Sequence, residues 1–473
     1  MNKFFKLEEN NTTVGREIGA GVTTFFAMSY ILFVNPQILS SAGMPVQAVF
    51  LATILASIVG TVAIGLIANV PYALAPGMGL NAFFAYTVVL SLGYTWQEAL
   101  AMVFICGIIN IIITFTSIRK AIILGIPESL QHAIGGGIGI FIAYIGIKNA
   151  GILQFIADPG TYTNDHGTIT ASSAIVPGLV KFNNAGVLVA LVGIVITIFF
   201  VLRKYKAGII LSILVTTVLS ILTGVVKIDV HTLFSQNNLG VAMSQMGQTF
   251  GAALGPKGMG ILFSDSSKIF EVLMTILAFS LTSIFDPIGT FVGTGRQTGI
   301  FSEQDFKDME NSRGFSSKMD KALFADMIAT PFGAIFGTSN TTVYMESVAG
   351  IGAGGRTGLS SMATAVMFAL SALFLPLLAI VPSQATAPIL IIVGMMMLGA
   401  FKNINWGDLA EAIPCFFASV FMGLAYSISY GIAAGFITFI IVKLVTGKVK
   451  EIKPVIWIVS ILFILDFAVL AVL

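Results

Sequence analysis

The stretch LMTILAFSLTSIFDPIGTFVGTG, residues 273–295, places Asp286 and Pro287 side by side in an otherwise apolar segment. A charged side chain at the centre of a bilayer costs about 2.5–3.5 kcal/mol on insertion scales, so it is kept where it is paired, hydrated or protonated. We therefore predict that Asp286 faces a polar cavity. Asp286 would end one helical piece and Pro287 would begin the next or form a kink, while Gly289 leaves space beside a ligand.

Composition makes lipid the main solvent of this chain. Of its 473 residues 56% are hydrophobic and only 10% are charged, with a mean hydropathy of +0.96, whereas soluble domains carry about 25% charged residues. The net charge of +2 gives no electrostatic footprint for a nucleic-acid partner. Cys106 and Cys415 both lie in apolar runs and there are three histidines, so neither a disulfide nor a metal site is expected.

The apolar segments predict about fourteen membrane crossings, since a full span needs roughly 20 apolar residues. Two of them, 72–91 and 341–356, are short or broken by Gly and Pro, and 408–446 is long enough to be a hairpin that turns at 427–431. The segments are 17–40, 47–69, 72–91, 96–117, 127–148, 185–203, 208–227, 268–294, 321–338, 341–356, 358–381, 386–401, 408–446 and 454–472.

The basic residues predict the orientation of a multi-pass protein of the cell membrane. If the segments cross alternately, most Lys and Arg residues fall on the side of the N-terminus, which the positive-inside tendency makes cytoplasmic. Residues 1–16 are then a cytoplasmic N-terminus. The polar loop 149–184 and the extracellular loop 228–267 lie on the opposite side and have room for small external structure.

Two parts of the chain repeat with opposite orientation. The segment TTFFAMSYILFVNPQIL ends near Asn35-Pro36, as TILAFSLTSIFDPIGTF ends near Asp286-Pro287, and a broken segment follows two places later in each half. Seven segments separate the paired features, and an odd offset inverts the second copy. Broken segments at matching positions of inverted halves are typical of a transporter site, although glycine-rich stretches also serve close helix packing. The repeats are 17–227 and 268–473.

Intramembrane carboxylates supply the candidate chemistry. Asp286 and Glu346 stand inside predicted spans without Lys or Arg within a helical turn. Facing one cavity, two such acids can bind an amide-like edge of a substrate and carry a proton. Asp286 also suits the cap of a half-helix. Asp326 is the next candidate acid, but it lies nearer the basic loop, where a snorkelling or hydrogen-bonded role explains it at least as well as a functional one.

The first broken segment offers an amide and an aromatic ring. Asn81 precedes Phe83 there, and the pair suits a flat, hydrogen-bonding heterocycle, although core packing explains Phe83 taken alone. The run GGGIGIF at 135–141 follows no strand–turn–helix pattern, and we interpret it as helix packing and not as a phosphate loop.

The motifs together resemble the AzgA-like purine permeases of the nucleobase–cation symporter-2, or nucleobase–ascorbate transporter, superfamily. The resemblance covers nearly the whole chain, and five stretches carry it: GVTTFFAMSYILFVNPQIL, ALAPGMGLNAFFAYTVV, FDPIGTFVGTG, GTSNTTVYMESVAGIGAGGRTGLSS and PILIIVGMMMLGA. It implies a UraA-like, all-α polytopic membrane fold of seven-plus-seven inverted segments, with short strands in the third and tenth. It also implies a core domain (17–117 and 268–381) and a gate domain (127–227 and 386–473).

The resemblance implies a transporter and not an enzyme, importing adenine, guanine or hypoxanthine by proton symport and an elevator-type movement. No cofactor is expected beyond H⁺ as the coupling ion, and a homodimer is a further expectation. Residue by residue, Asn81, Asp286 and Glu346 match polar positions of the family's third, eighth and tenth segments. Thr24 and Thr290 stand where related branches carry a Gln-His pair and a histidine.

We therefore expect Glu346, Asp286, Asn81, Phe83, Thr290 and Thr24 to contact the substrate. Glu346 is expected to make the main hydrogen bonds to the purine edge. Asp286 is expected to be the main proton carrier, and both carboxylates take part in proton coupling. Ser283 replaces an acid of the family's eighth-segment pattern, which leaves any coupling role to these two carboxylates. A uracil, xanthine or anion transporter of the same fold remains the alternative, and a membrane receptor a more distant one.

Overall fold

The computed structural model describes residues 2–116, 125–156, 162–165, 168–171, 176–205, 207–228, 233, 235–311 and 317–472. Within this part of the chain nine helices are long and apolar enough to cross a membrane, and four shorter apolar helices accompany them. The α-helices are Asn2–Phe5, Val14–Met28, Ile31–Ser40, Val46–Ile67, Met78–Ala82, Trp96–Phe115, Glu128–Asn149, Ala185–Leu202, Gly208–Leu222, Leu239–Thr249, Ile269–Thr298, Glu303–Asn311, Lys318–Phe336, Ser347–Gly352, Gly358–Ser371, Leu375–Leu378, Ser383–Met397, Leu409–Leu424, Ile428–Val445 and Pro454–Val472.

The two broken segments contain the predicted strands. Leu74–Pro76 in the third segment pairs antiparallel with Thr341–Val343 in the tenth, and Ala75 stands opposite Thr342. A π-helix, Phe83–Ser91, continues the third segment after a short α-helix, and Ser347–Gly352 continues the tenth. The two halves of the chain therefore meet through backbone hydrogen bonds in the interior, where irregular backbone needs such partners.

The C-terminal region contains the hairpin that the sequence left open. Leu409–Leu424 and Ile428–Val445 flank a turn in which Tyr426 adopts a positive φ of 53°, and Pro454–Val472 follows as a separate helix. The predicted segment 408–446 is therefore two helices joined by a short turn. The loop 149–184 contains two small antiparallel strand pairs, Leu153–Ile156 with Val176–Leu179 and Tyr162–Asp165 with Thr168–Ala171.

The helix end predicted at Asp286 is wrong, and the first segment has an interruption that the sequence did not predict. Ile269–Thr298 is one continuous helix with Pro287 inside it, so Asp286 ends no helical piece. The first segment is interrupted instead at Ser29 and Tyr30, between Val14–Met28 and Ile31–Ser40. A proline inside a helix removes one donor without necessarily ending the helix, because neighbouring groups and water can satisfy the freed carbonyl.

The glycine run at 135–141 packs helices together, as its sequence suggests. A Cβ atom on Gly139 would lie 2.6 Å from the carbonyl oxygen of Gly394, which is closer than real Cβ contacts allow. Helix Glu128–Asn149 thus lies directly against Ser383–Met397. Gly77, just after the first strand, is equally restricted, because its Cβ would meet Thr342 at 2.7 Å.

Candidate functional site

A cavity with an empty volume of about 590 Å³, part of which is open solvent, lies beside the strand pair Leu74–Pro76 and Thr341–Val343. Helix Ile269–Thr298 forms one side, and helices Glu128–Asn149 and Ser383–Met397 form the other. The lining residues are Tyr30, Gly77, Met78, Gly79, Leu80, Ile138, Ile142, Thr282, Asp286, Thr290, Thr342, Val343, Tyr344, Met345, Glu346, Val393 and Met397.

Glu346 follows the tenth-segment strand and immediately precedes helix Ser347–Gly352. The Tyr30 hydroxyl donates to Glu346 Oε1 at 2.5 Å, and the break in the first segment places this tyrosine at the cavity. Tyr344 lines the same wall, and its hydroxyl donates to the carbonyl of Pro76 at 2.6 Å. The carboxylate of Glu346 is partly exposed, so a ligand in the cavity can reach it.

Asp286 enters the cavity from helix Ile269–Thr298 together with Thr282 and Thr290. The three residues are spaced four apart and so share one face of the helix. Asp286 is partly exposed, whereas Thr282 is 1% and Thr290 9% exposed. The helix thus presents one carboxylate and two hydroxyls to the cavity beside the strand pair. The two predicted acids, Asp286 and Glu346, line one cavity.

Buried side chains hold the two strands in place. Asp326 is fully buried, and its Oδ1 accepts from the backbone N–H of Val343 at 2.7 Å. The Thr61 hydroxyl exchanges bonds with the backbone of Leu74, and the Ser347 hydroxyl accepts from Ala73 N. Of the roles considered for Asp326, the structure shows the hydrogen-bonded one: the side chain is buried, does not snorkel, and is not among the residues that line the cavity.

Asn81 does not line the cavity. Its side chain is completely buried, accepts a hydrogen bond from Ser339, and donates to the carbonyl of Pro76 at 3.4 Å. This amide therefore joins the third segment to the residues that precede the tenth-segment strand. Direct contact between Asn81 and a ligand is not what the geometry offers, because both ends of the amide already have protein partners.

Phe83 and Thr24 also lie outside the cavity lining. The Phe83 ring is 1% exposed and packs edge-on against Phe279, with ring centroids 4.7 Å apart. Thr24 is buried beside Gly350, where an added Cβ would collide with the Thr24 hydroxyl oxygen. Core packing is thus the role that the structure gives Phe83, and Thr24 fixes the approach of the first segment to the tenth. Ser283 is likewise buried and is not among the residues that line this cavity.

Sequence reasoning missed several residues of the site. Tyr30 and Tyr344 received no role, although both stand inside motifs that carried the family resemblance. The apolar wall, formed by Ile138, Ile142, Val393 and Met397, was not recognised either. A tyrosine beside a helix break was the one available signal for Tyr30, and aliphatic residues in membrane helices carry none.

The polar side chains that line the cavity carry carboxylates and hydroxyls. None of its lining residues, all of them in the described part of the chain, is Lys, Arg or His. Among the described residues no group of three His, Cys, Asp or Glu side chains is arranged to hold a metal ion. Two carboxylates that accept hydrogen bonds, together with hydroxyls and apolar surface, suit a flat neutral ligand with N–H donors.

Comparison with known proteins gives matches over the whole length. The model of the family described as "Permease family" matches residues 15–434. The guanine/hypoxanthine permease PbuO of Bacillus subtilis is 38% identical over 98% of this chain and 100% of its own length. The adenine permease AdeP of Escherichia coli is 37% identical over 98% of this chain and 95% of its own.

Solved structures share the fold at low sequence identity. The transmembrane domain of the cyanobacterial bicarbonate transporter BicA superposes with a TM-score of 0.58 at 16% identity, covering 89% of this chain and 97% of that domain. The structure of SLC26A9 gives a TM-score of 0.53 at 12% identity over 91% of this chain and 65% of that one. At these identities the likeness concerns the fold and not the transported molecule.

Proposed function

The chain belongs to this permease family, and we propose that it imports purine nucleobases, namely adenine, guanine or hypoxanthine, by proton symport. The observation that carries the proposal is the pair of carboxylates, Asp286 and Glu346, that line one cavity beside the strand pair. Purine bases are flat, neutral at pH 7 and rich in N–H donors, which matches a cavity of acceptors and apolar walls. The relatives named above as purine permeases support the same cargo.

The charge of the cavity argues against the anion alternative. An anion needs positive charge or free donors at its site, whereas the described lining contains two carboxylates and no basic side chain. The solved anion carriers share only the fold with this chain. A uracil or xanthine carrier of the same fold is the closer competitor, because its cargo has similar donors.

We propose Asp286 as the main proton carrier and Glu346 as the main ligand for the base. Asp286 stands on the long helix with water access through the cavity, and Glu346 stands on the strand segment beside Tyr30. Two interacting carboxylates titrate as a pair, so the proton count belongs to both groups.

The proposed transport movement displaces a core domain, 17–117 and 268–381, past a gate domain, 127–227 and 386–473. Some of the contacts between these parts lie beside the loop that starts at residue 149. Tyr86 of the core packs against Tyr426 of the gate with ring centroids 5.7 Å apart, and Lys148 lies over the Tyr86 ring at 5.4 Å. Such contacts must separate if the cavity is to open on that side. A homodimer and a cytoplasmic N-terminus complete the proposal.

Uptake of radiolabelled bases by cells that lack their own purine permeases tests the cargo and the coupling. We expect accumulation of adenine, guanine or hypoxanthine that a protonophore abolishes and that persists in sodium-free buffer. Uracil and xanthine in excess should compete weakly. Accumulation that requires sodium would contradict proton symport, and uptake of uracil or bicarbonate in place of purines would overturn the proposed cargo.

A cross-link between core and gate tests the movement. In the variant Tyr86→Cys/Tyr426→Cys a short bifunctional thiol reagent should stop uptake, because the two rings lie across the proposed sliding surface. The control variant, Tyr144→Cys/Tyr426→Cys, joins two gate residues whose rings are 5.8 Å apart. Its cross-link should leave uptake intact, and equal uptake by both cross-linked proteins would contradict the movement.

A further inference from the structure

Tyr30 occupies the break in the first segment and contacts the proposed base ligand directly. Its ring is completely buried, and its hydroxyl donates to Glu346 Oε1 at 2.5 Å. The two residues are 316 positions apart in the chain. A hydrogen bond of this length to a carboxylate belongs to the stronger, charge-assisted class.

No other lining group in the described structure is as well placed to donate to this carboxylate. Tyr344 is the other phenol of the wall, but its hydroxyl is committed to the carbonyl of Pro76 at 2.6 Å. The cavity lining holds no Lys, Arg or His among its described residues. Tyr30 therefore satisfies one oxygen of Glu346 and stabilises the carboxylate as an acceptor, and the partly exposed Glu346 lines the cavity where a ligand can reach it.

The purine bases differ in the groups that such an acceptor can use. Guanine and hypoxanthine carry a hydrogen on N1, and guanine adds the amino hydrogens on N2. Adenine has an unprotonated N1, which is an acceptor and needs a donor opposite it. A carboxylate that only accepts hydrogen bonds can pair with the N1–H of the first two bases, but it has no proton to offer to N1 of adenine.

We propose that Tyr30 is a specificity-determining positioning residue that makes the site prefer guanine and hypoxanthine to adenine. By donating to Oε1 it stabilises the carboxylate form of Glu346, which accepts hydrogen bonds from the N1–H edge of a 6-oxopurine. This inference rests on the proposed function, and it narrows the cargo within that function. A site that hydrogen-bonds one edge rejects an analogue that leaves its polar groups unpaired.

Removing the phenol changes what Glu346 can offer. In Tyr30→Phe the ring remains but Oε1 loses its donor, and an unpaired acceptor inside a protein is costly. A proton bound to the carboxyl group itself supplies the missing hydrogen. A protonated carboxyl group has one donor and one acceptor, which complements N1 and the 6-amino group of adenine.

Calorimetric binding of hypoxanthine and adenine to the purified protein tests the proposal. Wild type should bind hypoxanthine more tightly, and Tyr30→Phe should shift the affinity ratio toward adenine by about tenfold. The matched control is Tyr344→Phe, which removes the same hydroxyl from the same wall but leaves the Tyr30–Glu346 bond intact. It should weaken both bases alike and keep their ratio.

The outcomes separate this inference from the proposed function. A wild type that binds adenine more tightly, or a Tyr30→Phe protein that loses both affinities equally, overturns the role of Tyr30 while purine transport stands. A wild type that binds neither base overturns the proposed function itself. If Tyr30→Phe does not fold, Glu346→Gln gives the same test, since an amide also offers one donor and one acceptor: an unchanged ratio in that variant overturns the inference.

Discussion

Glu346→Gln lowers the affinity of the purified protein for guanine by about 10- to 150-fold, because hydrogen bonds to charged groups contribute about 1.5–3 kcal/mol. Guanine presents N1–H and N2–H side by side, and a carboxylate accepts from both. The amide of glutamine has one acceptor and turns a donor toward the second N–H. Its size is that of glutamate, so the cavity keeps its shape.

Isothermal titration with guanine from pH 5 to pH 8 checks this result, and we expect the loss throughout that range. Glu271→Gln is the matched control: it makes the same chemical change in the first turn of helix Ile269–Thr298, outside the cavity lining. It should bind guanine as the wild type does. Wild-type affinity in Glu346→Gln would remove this residue from the base site.

Asp286→Asn abolishes accumulation of the base against its gradient while leaving binding in place. Asparagine has nearly the shape of a protonated aspartic acid, but it cannot release a proton. The variant therefore resembles the proton-loaded state, on the same helix face as Thr282 and Thr290. A carrier that cannot change its proton load can exchange substrate but cannot couple that movement to a proton gradient.

Vesicles with an imposed pH gradient measure the effect. Net concentrative uptake should fall to the level of empty vesicles, whereas exchange of labelled for unlabelled base should continue. Asp265→Asn, in the exposed loop before the helix, serves as the control and should accumulate base normally. Continued accumulation by Asp286→Asn would contradict its coupling role. Failure of both binding and exchange would instead assign the side chain to the base site.

The membrane class and the inverted arrangement of the broken segments followed from the sequence, because hydropathy and segment order are local and countable. The strands Leu74–Pro76 and Thr341–Val343 came from the family resemblance, and the structure contains both. The interruption expected at Asp286 failed because a proline signals a missing donor and not the end of a helix. Pro36 likewise lies inside its helix.

The sequence predicted those site residues whose burial in a membrane segment costs the most free energy. Asp286 and Glu346 stood out because a carboxylate in a membrane segment requires an explanation, and both line the cavity. Asn81 looked equally suitable, yet its amide bonds to Ser339 and Pro76 and does not face the cavity. An amide in an apolar segment signals only that it has partners, and the sequence does not say whether they are protein or ligand.

By itself, the sequence determined that this chain is a multi-pass membrane protein, that its halves are inverted copies, and that two acids must be accommodated in the membrane. Each of these conclusions depends on the transfer energy or order of residues, which does not require knowing their neighbours. Only the tertiary structure decided that Tyr30 donates to Glu346 and that Asp326 holds the strand at Val343. Those contacts join residues far apart in the chain, and hydrogen-bond partners are fixed by which segments pack together.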